Sequence, residues 1–142
     1  MAIWAPPDVQ LVVEAPTLPD AFARIALSLF AAAVDPASVD EAEVREVRAH
    51  GAGPSALLRR WLDECLYVHE VEGFACRSIE FVVFDAAPTA GGEPLRLHAF
   101  LRGEPVGPAR HQVRGLIRGI GSDGLTVEVL PEGFRVRATL EV

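Results

Sequence analysis

Gly119-Ile120-Gly121-Ser122-Asp123-Gly124 matches G-x-G-x-x-G, the spacing that lets backbone amides approach a dinucleotide pyrophosphate. That chemistry needs the last glycine to open a helix whose amino terminus receives the phosphates. Here Leu125-Thr126-Val127-Glu128-Val129 follows with the alternation of a strand, so the string reads as a β-hairpin turning at Ser122-Asp123-Gly124. His50, His69, His98 and His111 have no H-x-x-x-H or H-x-H spacing, and none opens a metal or general-base constellation. His69 continues an apolar helical stripe and is expected to be partly buried and hydrogen-bonded. Cys65 and Cys76 form no C-x-x-C pair and sit among apolar residues, as buried free thiols do. No serine stands in a G-x-S-x-G elbow. No catalytic residue is assigned.

The acidic residues are mostly explained by solvation, as in Asp40, Glu41, Glu43 and Glu46. Asp8 and Glu141 stand apart. Asp8 opens the first strand after two prolines, while Glu141 and the α-carboxylate of Val142 finish the last. If those strands are neighbours, three oxygen-bearing groups could converge on a hard cation, calcium, magnesium or manganese. The alternative is that these chain ends are simply solvated.

Composition narrows the functions open to these groups. The chain has 142 residues, 50% hydrophobic and 23% charged, enough for one domain, 1–142, with its own core. A net charge of -7 argues against an unaided grip on nucleic acid, which comes from many Lys and Arg neutralising phosphates. All 13 basic residues are arginine, so Schiff-base chemistry, a lysyl-nucleotide intermediate and the P-loop are excluded. The first residues do not pair a charged region with an apolar run as a signal peptide would, and no stretch approaches the roughly 18 apolar residues of a membrane span. A soluble, cytoplasmic protein is expected.

The elements that must position Asp8 and Glu141 follow from periodicity. Asp8 to Glu14 reads as a strand ended by Pro16. Thr17 can cap a helix with Asp20 three positions on, and Phe22, Ile25, Ala26, Leu29 and Phe30 line one face of it as far as Val34-Asp35-Pro36. Glu41 to His50 reads as an edge-like strand. A second helix opens at Pro54 and Ser55, carries the stripe Leu57, Leu58, Trp61, Leu62, Cys65 and Leu66, and closes at Gly73. Strands are then predicted at Ile79 to Phe84, Leu95 to Leu101, Gln112 to Ile120, Leu125 to Leu130 and Phe134 to Val142, with a loop at Ala86 to Glu93. This makes an α+β domain with two helices packed on a mainly antiparallel sheet.

Two motifs resemble archease, the small protein that assists the GTP-dependent RNA ligase of tRNA splicing and RNA repair. The family's T-L-x-x-A-F-x-x-x-A-x-x-L-F appears as Thr17-Leu18-Pro19-Asp20-Ala21-Phe22, then Ala26, Leu29 and Phe30, preceded by Asp8 and closed by Asp35. Its L-L-x-x-W-L-x-E-x-L-Y is present from Leu57 to Tyr67, with Trp61, Glu64 and Tyr67 in place. Gly103-Glu104, His111, Gly119-Ile120, Gly124-Leu125 and Gly133-Phe134 extend the likeness along nearly the whole chain. The resemblance implies a compact domain of strand-helix-strand modules and a divalent metal ion, calcium before magnesium or manganese, on Asp8, Glu141 and Val142.

Several positions depart from the family pattern. H-T-A-D becomes Ala5-Pro6-Pro7-Asp8, and the penultimate Asp becomes Glu141, longer by one methylene. In K-A-V-T-Y-H-G-L the lysine becomes Arg118, and the tyrosine and histidine become Ser122 and Asp123. Arg118 and Asp123 are therefore candidate partner-facing residues. Three readings follow. In the first, the protein activates a GTP-dependent RNA ligase by promoting its guanylylation and multiple turnover, without turnover of its own. The second is a chaperone-like modulator of another RNA-modifying enzyme, such as a tRNA methyltransferase, with the metal structural or absent. The third, an enzyme using Asp8 and Glu141 as an acid–base pair, finds no nucleophile or histidine base to join them.

Overall fold

The computed structural model describes residues 8–86, 94–107, 109–111 and 113–142. Ala5 and most of the expected loop at 86–93 lie outside the described residues. Strand β1 (Val9–Ala15) leads to α1 (Leu18–Ala33), where Thr17 Oγ1 accepts the Asp20 N–H at 3.3 Å and caps the helix. The predicted stripe is buried: Phe22, Ile25, Ala26 and Leu29 lose all contact with solvent. After Val34, Asp35 Oδ1 accepts the Ala37 N–H and sets a short 3-10 turn at Pro36–Ser38. Strand β2 (Glu43–Gly51) and α2 (Pro54–Glu70) follow, with Gly53 at the N-cap and Pro54 in the first turn. Gly73 takes φ +64°, and the chain reverses into β3 (Phe74–Asp85).

The remaining strands are β4 (Leu95–Pro105), β5 (Gly119–Ile120), β6 (Thr126–Leu130) and β7 (Gly133–Glu141). They form two separate antiparallel sheets rather than the single sheet expected. One is ordered β2-β4-β3; in the other, β7 pairs with β1 along one edge and with β5 and β6 along the other. Alternation in a strand specifies which face is apolar but not which strand is its neighbour, so the division into two sheets left no mark in the periodicity.

Helix α1 lies against β1 and β7 of one sheet and β3 of the other, and α2 packs on β2. Aromatic rings join these layers: Phe22 meets Phe84 edge-on at 5.0 Å, Phe84 meets Phe81 at 5.1 Å, and Phe81 meets Trp61 at 5.1 Å. Trp61 is fully buried, and its indole N–H donates to the carbonyl of Phe22 at 3.0 Å, tying α2 to α1. At Gly103 the strands close in so far that a Cβ would stand 1.8 Å from the carbonyl oxygen of Ala75. This glycine is required by the approach of β3, which is bulged between Cys76 and Ser78.

Two expected elements are corrected. The strand expected at Gln112 to Ile120 shrinks to Gly119–Ile120, with Val113 forming a lone bridge to Val34 and residues 114–118 irregular. In that stretch Arg114 N–H bonds Ala33 O and Arg118 N–H bonds Glu141 O, so the chain passes from one partner to another around Gly115 and makes no continuous ladder. The hairpin expected at Ser122-Asp123-Gly124 is absent as well. β5 and β6 do not pair with each other; they lie end to end on the same edge of β7. Strands β3 and β4 also run longer than expected, beginning at Phe74 and ending at Pro105 respectively. Cys65 and Cys76 are buried free thiols, and His69 is half-buried with Nδ1 3.1 Å from Phe74 O, both as expected.

Candidate functional site: an acidic depression at the end of β7

The register of β1 on β7 sets Val9 opposite Leu140 and Gln10 opposite Thr139. Continued by one residue, it brings Asp8 opposite Glu141. Leu140 points into the core, so Asp8, Gln10, Thr139 and Glu141 share the other face. Neighbours directly across an antiparallel pair have Cβ atoms about 5 Å apart, close enough for two carboxylates to address one ligand. On the far side of β7, Gly119 faces Glu141, and a Cβ there would lie 3.7 Å from Glu141 Oε2.

The segment between β5 and β6 completes the depression. Gly121 N–H bonds Thr139 O at 2.8 Å while Thr126 pairs with Arg137, so residues 122–125 span the place opposite Ala138 alone. The surplus residues bow outward. Gly124, at φ +80°, makes the bend beside the Thr139 side chain, a conformation that L side chains rarely adopt. Asp8, Gln10, Ser122, Asp123, Thr139 and Glu141, with Gly121 and Gly124, line a depression of about 230 Å³. Arg59 of α2 supports it from behind: its guanidinium donates to Gly121 O at 2.8 Å and to Ile120 O at 3.1 Å.

The expected site residues are therefore distributed unevenly. Asp8 and Glu141 both line the depression. Asp123, read from the sequence as partner-facing, joins the same depression as a third carboxylate. Arg118 is exposed nearby, its backbone N–H bonded to Glu141 O at 2.7 Å, but its side chain does not line the depression. Val142 is half-buried against the core and does not line it either. Sequence reasoning missed Gln10, Thr139 and Ser122. The first two follow from period-two alternation once β1 and β7 are known to pair.

Every side-chain donor around the depression is an oxygen: three carboxylates, one amide and two hydroxyls. That set matches the preference of calcium or magnesium and excludes soft metals. Among the described residues, no three His, Cys, Asp or Glu side chains already stand grouped to hold a metal.

A second polar cluster is structural. Glu104, 5% exposed, accepts the Asp40 N–H, pairs with Arg110 Nη1 at 2.8 Å and faces His111 Nε2 at 3.6 Å. His111 Nδ1 accepts the Gly107 N–H at 2.8 Å.

The model of the Archease protein family (MTH1598/TM1083) matches residues 5–142, nearly the whole chain. The chain belongs to the archease family. Protein archease of Pyrococcus abyssi is 32% identical over 117 residues, covering 82% of this chain and 79% of that protein. The archease of Methanosarcina acetivorans is 24% identical over 135 residues, covering 95% and 90%. The solution structure of Methanobacterium thermoautotrophicum protein 1598 superposes with a TM-score of 0.78 over 99% of this chain and 96% of that one, at 21% identity, which shows the shared fold. Archeases are accessory proteins of RNA processing rather than enzymes, and this chain is one of them. Among the described residues no helix is long and apolar enough to cross a membrane.

Proposed function

We propose that this archease activates a GTP-dependent RNA ligase in the cytoplasm, promoting guanylylation and multiple turnover of the ligase through the acidic depression. The observation that carries the reading is that Asp8 and Glu141, each one residue beyond the Val9–Leu140 pair that ends the β1–β7 ladder, line one depression. Asp8 and Glu141 would hold a divalent cation, calcium first and magnesium or manganese as alternatives, with Asp123 in reach as a further carboxylate. When bound, the cation supplies a positive charge that can offset phosphoryl oxygens in the partner's active site. The protein's part is positional. β7 is anchored in the core through Leu140, and Arg59 braces the Gly121 turn, so the carboxylates are held rather than recruited.

The acidic balance of the chain suits docking to a basic, RNA-binding enzyme by complementary potential. The test adds wild type, Asp8→Asn and Glu141→Gln to the cognate ligase with GTP and manganese. Wild type is expected to accelerate guanylylation at least about tenfold, and each variant to lose most of that, as loss of a charged positioning contact predicts. No acceleration by wild type overturns the reading.

A second reading, modulation of another RNA-modifying enzyme such as a tRNA methyltransferase, is favoured by the departures from the family pattern at Ala5, Ser122 and Asp123. It predicts that Asp8→Ala leaves partner function unchanged.

A further inference from the structure

The β2-β4-β3 sheet turns one face to the core and leaves the other open. On the open face the register sets His50, Arg96 and Asp85 in one row and Arg48, His98 and Val83 in the next. Arg60, from the first turns of α2, joins them at the edge. Arg48, His50, Arg60, Arg96 and His98 line a single concavity of about 520 Å³ together with the exposed Val83, while Ala49 and Leu97 between them turn their side chains into the core. Acidic residues outnumber basic ones by 20 to 13 in this chain, yet no carboxylate lines this concavity among the described residues. The charge is segregated there.

The surrounding ion pairs do not cancel it. Arg48 meets Glu46 at 2.9 Å, His98 meets the same Glu46 at 2.7 Å, and Arg60 meets Glu64 at 3.0 Å. The Arg48 and Arg60 pairs sit on partly or largely exposed side chains, where such contacts contribute at most about 1 kcal/mol and yield to a stronger anion, whereas His98 keeps its buried Nε2 against Glu46. Arg96 forms no ion pair among the described residues, although Asp85 is its neighbour in the register. Guanidinium groups are planar forks that fit phosphate oxygens two at a time. A concavity of this volume accommodates a ligand of nucleotide size. Three arginines neutralise about three phosphates, too few to track a duplex and enough for a polyphosphate or a strand end.

We propose that this basin binds a phosphate-bearing ligand of nucleotide size, with Arg48, Arg60 and Arg96 holding the phosphates and Val83 supplying an apolar contact. The phosphates can come from a free nucleotide or from the end of an RNA strand. The site is separate from the acidic depression and does not rest on the function proposed above. Arg59 and Arg60, adjacent on α2, face the two sites in turn.

The test is calorimetric titration of the intact chain with tripolyphosphate, GTP, and a short single-stranded RNA with and without a 5′-phosphate. Wild type is expected to bind tripolyphosphate with Kd below about 1 mM at moderate salt. The double variant R48Q/R96Q is expected to weaken binding about tenfold or more, as loss of charge-assisted phosphate contacts predicts. The single variant R60Q provides the same reading if the double variant fails to fold, and R135Q, outside the basin, is expected to bind as wild type. Preference for GTP, or for the phosphorylated RNA over its unphosphorylated twin, identifies the source. Absence of binding by every probe, or equal binding by the basin variants, overturns the proposal.

Discussion

Arg59 on α2 and Gly121 beyond β5 are joined by a guanidinium-to-carbonyl hydrogen bond of 2.8 Å, reinforced by a second bond to Ile120 at 3.1 Å. Through it a helix far in sequence fixes the turn that carries Asp123. Arg59→Ala is expected to cost about 1 kcal/mol of stability, because the side chain is partly exposed and solvent can replace it in part. Its larger effect is local: amide hydrogen exchange from Gly121 to Gly124 should accelerate well beyond that of the β1–β7 ladder. Arg59→Lys, with a single donor group, should restore stability more than it restores exchange protection.

Trp61 bridges the helices by packing and by its hydrogen bond to Phe22 O. Trp61→Phe removes the donor while the Phe22 carbonyl keeps its helical partner within α1, for an expected loss of about 1 kcal/mol. Trp61→Ala adds a cavity and should cost about 3–5 kcal/mol. Urea midpoints for the two variants separate the hydrogen bond from the volume.

Burial pushes the Cys76 thiol from 9.0 up to about 12 and raises Cys65 well above its ordinary value. The folded chain therefore keeps these protons where the unfolded chain releases them. Their stabilising effect is intact below about pH 9 and is lost as pH rises toward about 12, at up to about 1.4 kcal/mol per pH unit for each thiol. Urea melts at stepped alkaline pH should show this fall, and Cys76→Ala should flatten it while lowering the baseline. At pH 8, neither thiol should react with a disulfide reagent until denaturant is added.

Glu104 accepts the Asp40 N–H and pairs with Arg110 from an almost fully buried position, with the His111 ring beside it. Glu104→Ala removes the acceptor of the Asp40 N–H and the partner of Arg110, groups that solvent can reach, and leaves the buried His111 ring without its neighbour, so it is expected to destabilise by about 1–3 kcal/mol. Glu104→Gln keeps an acceptor for the Asp40 N–H and should lose less. Thermal unfolding of the two variants checks the ranking.

Both helices were legible in the sequence because their stripes are long, their caps are Thr17 and Gly53-Pro54, and burial follows the period of the helix. The segment before β5 was not. Its residues alternate well enough to suggest a strand, but Gly115 interrupts them, and their hydrogen-bond partners are set by tertiary contacts with Ala33 and Glu141. Asp8 and Glu141 could be proposed from their positions at the strand ends. Asp123's place beside them required knowing that β5 and β6 occupy one edge of β7, which no local pattern records. Arg59 has the profile of an ordinary helix-surface charge, paired with Asp63 at 3.8 Å, and its bracing role appears only in three dimensions.

β7 carries Leu140 into the core and Glu141 onto the opposite face, one residue apart. A slip of one position against β1 would drive Glu141 inward and expose Leu140, so the energy that buries the leucine also guards the aim of the carboxylate. The depression therefore has no independent melting of its own at this strand: Glu141 keeps its orientation for as long as the hydrophobic interior survives, and loses it when that interior goes.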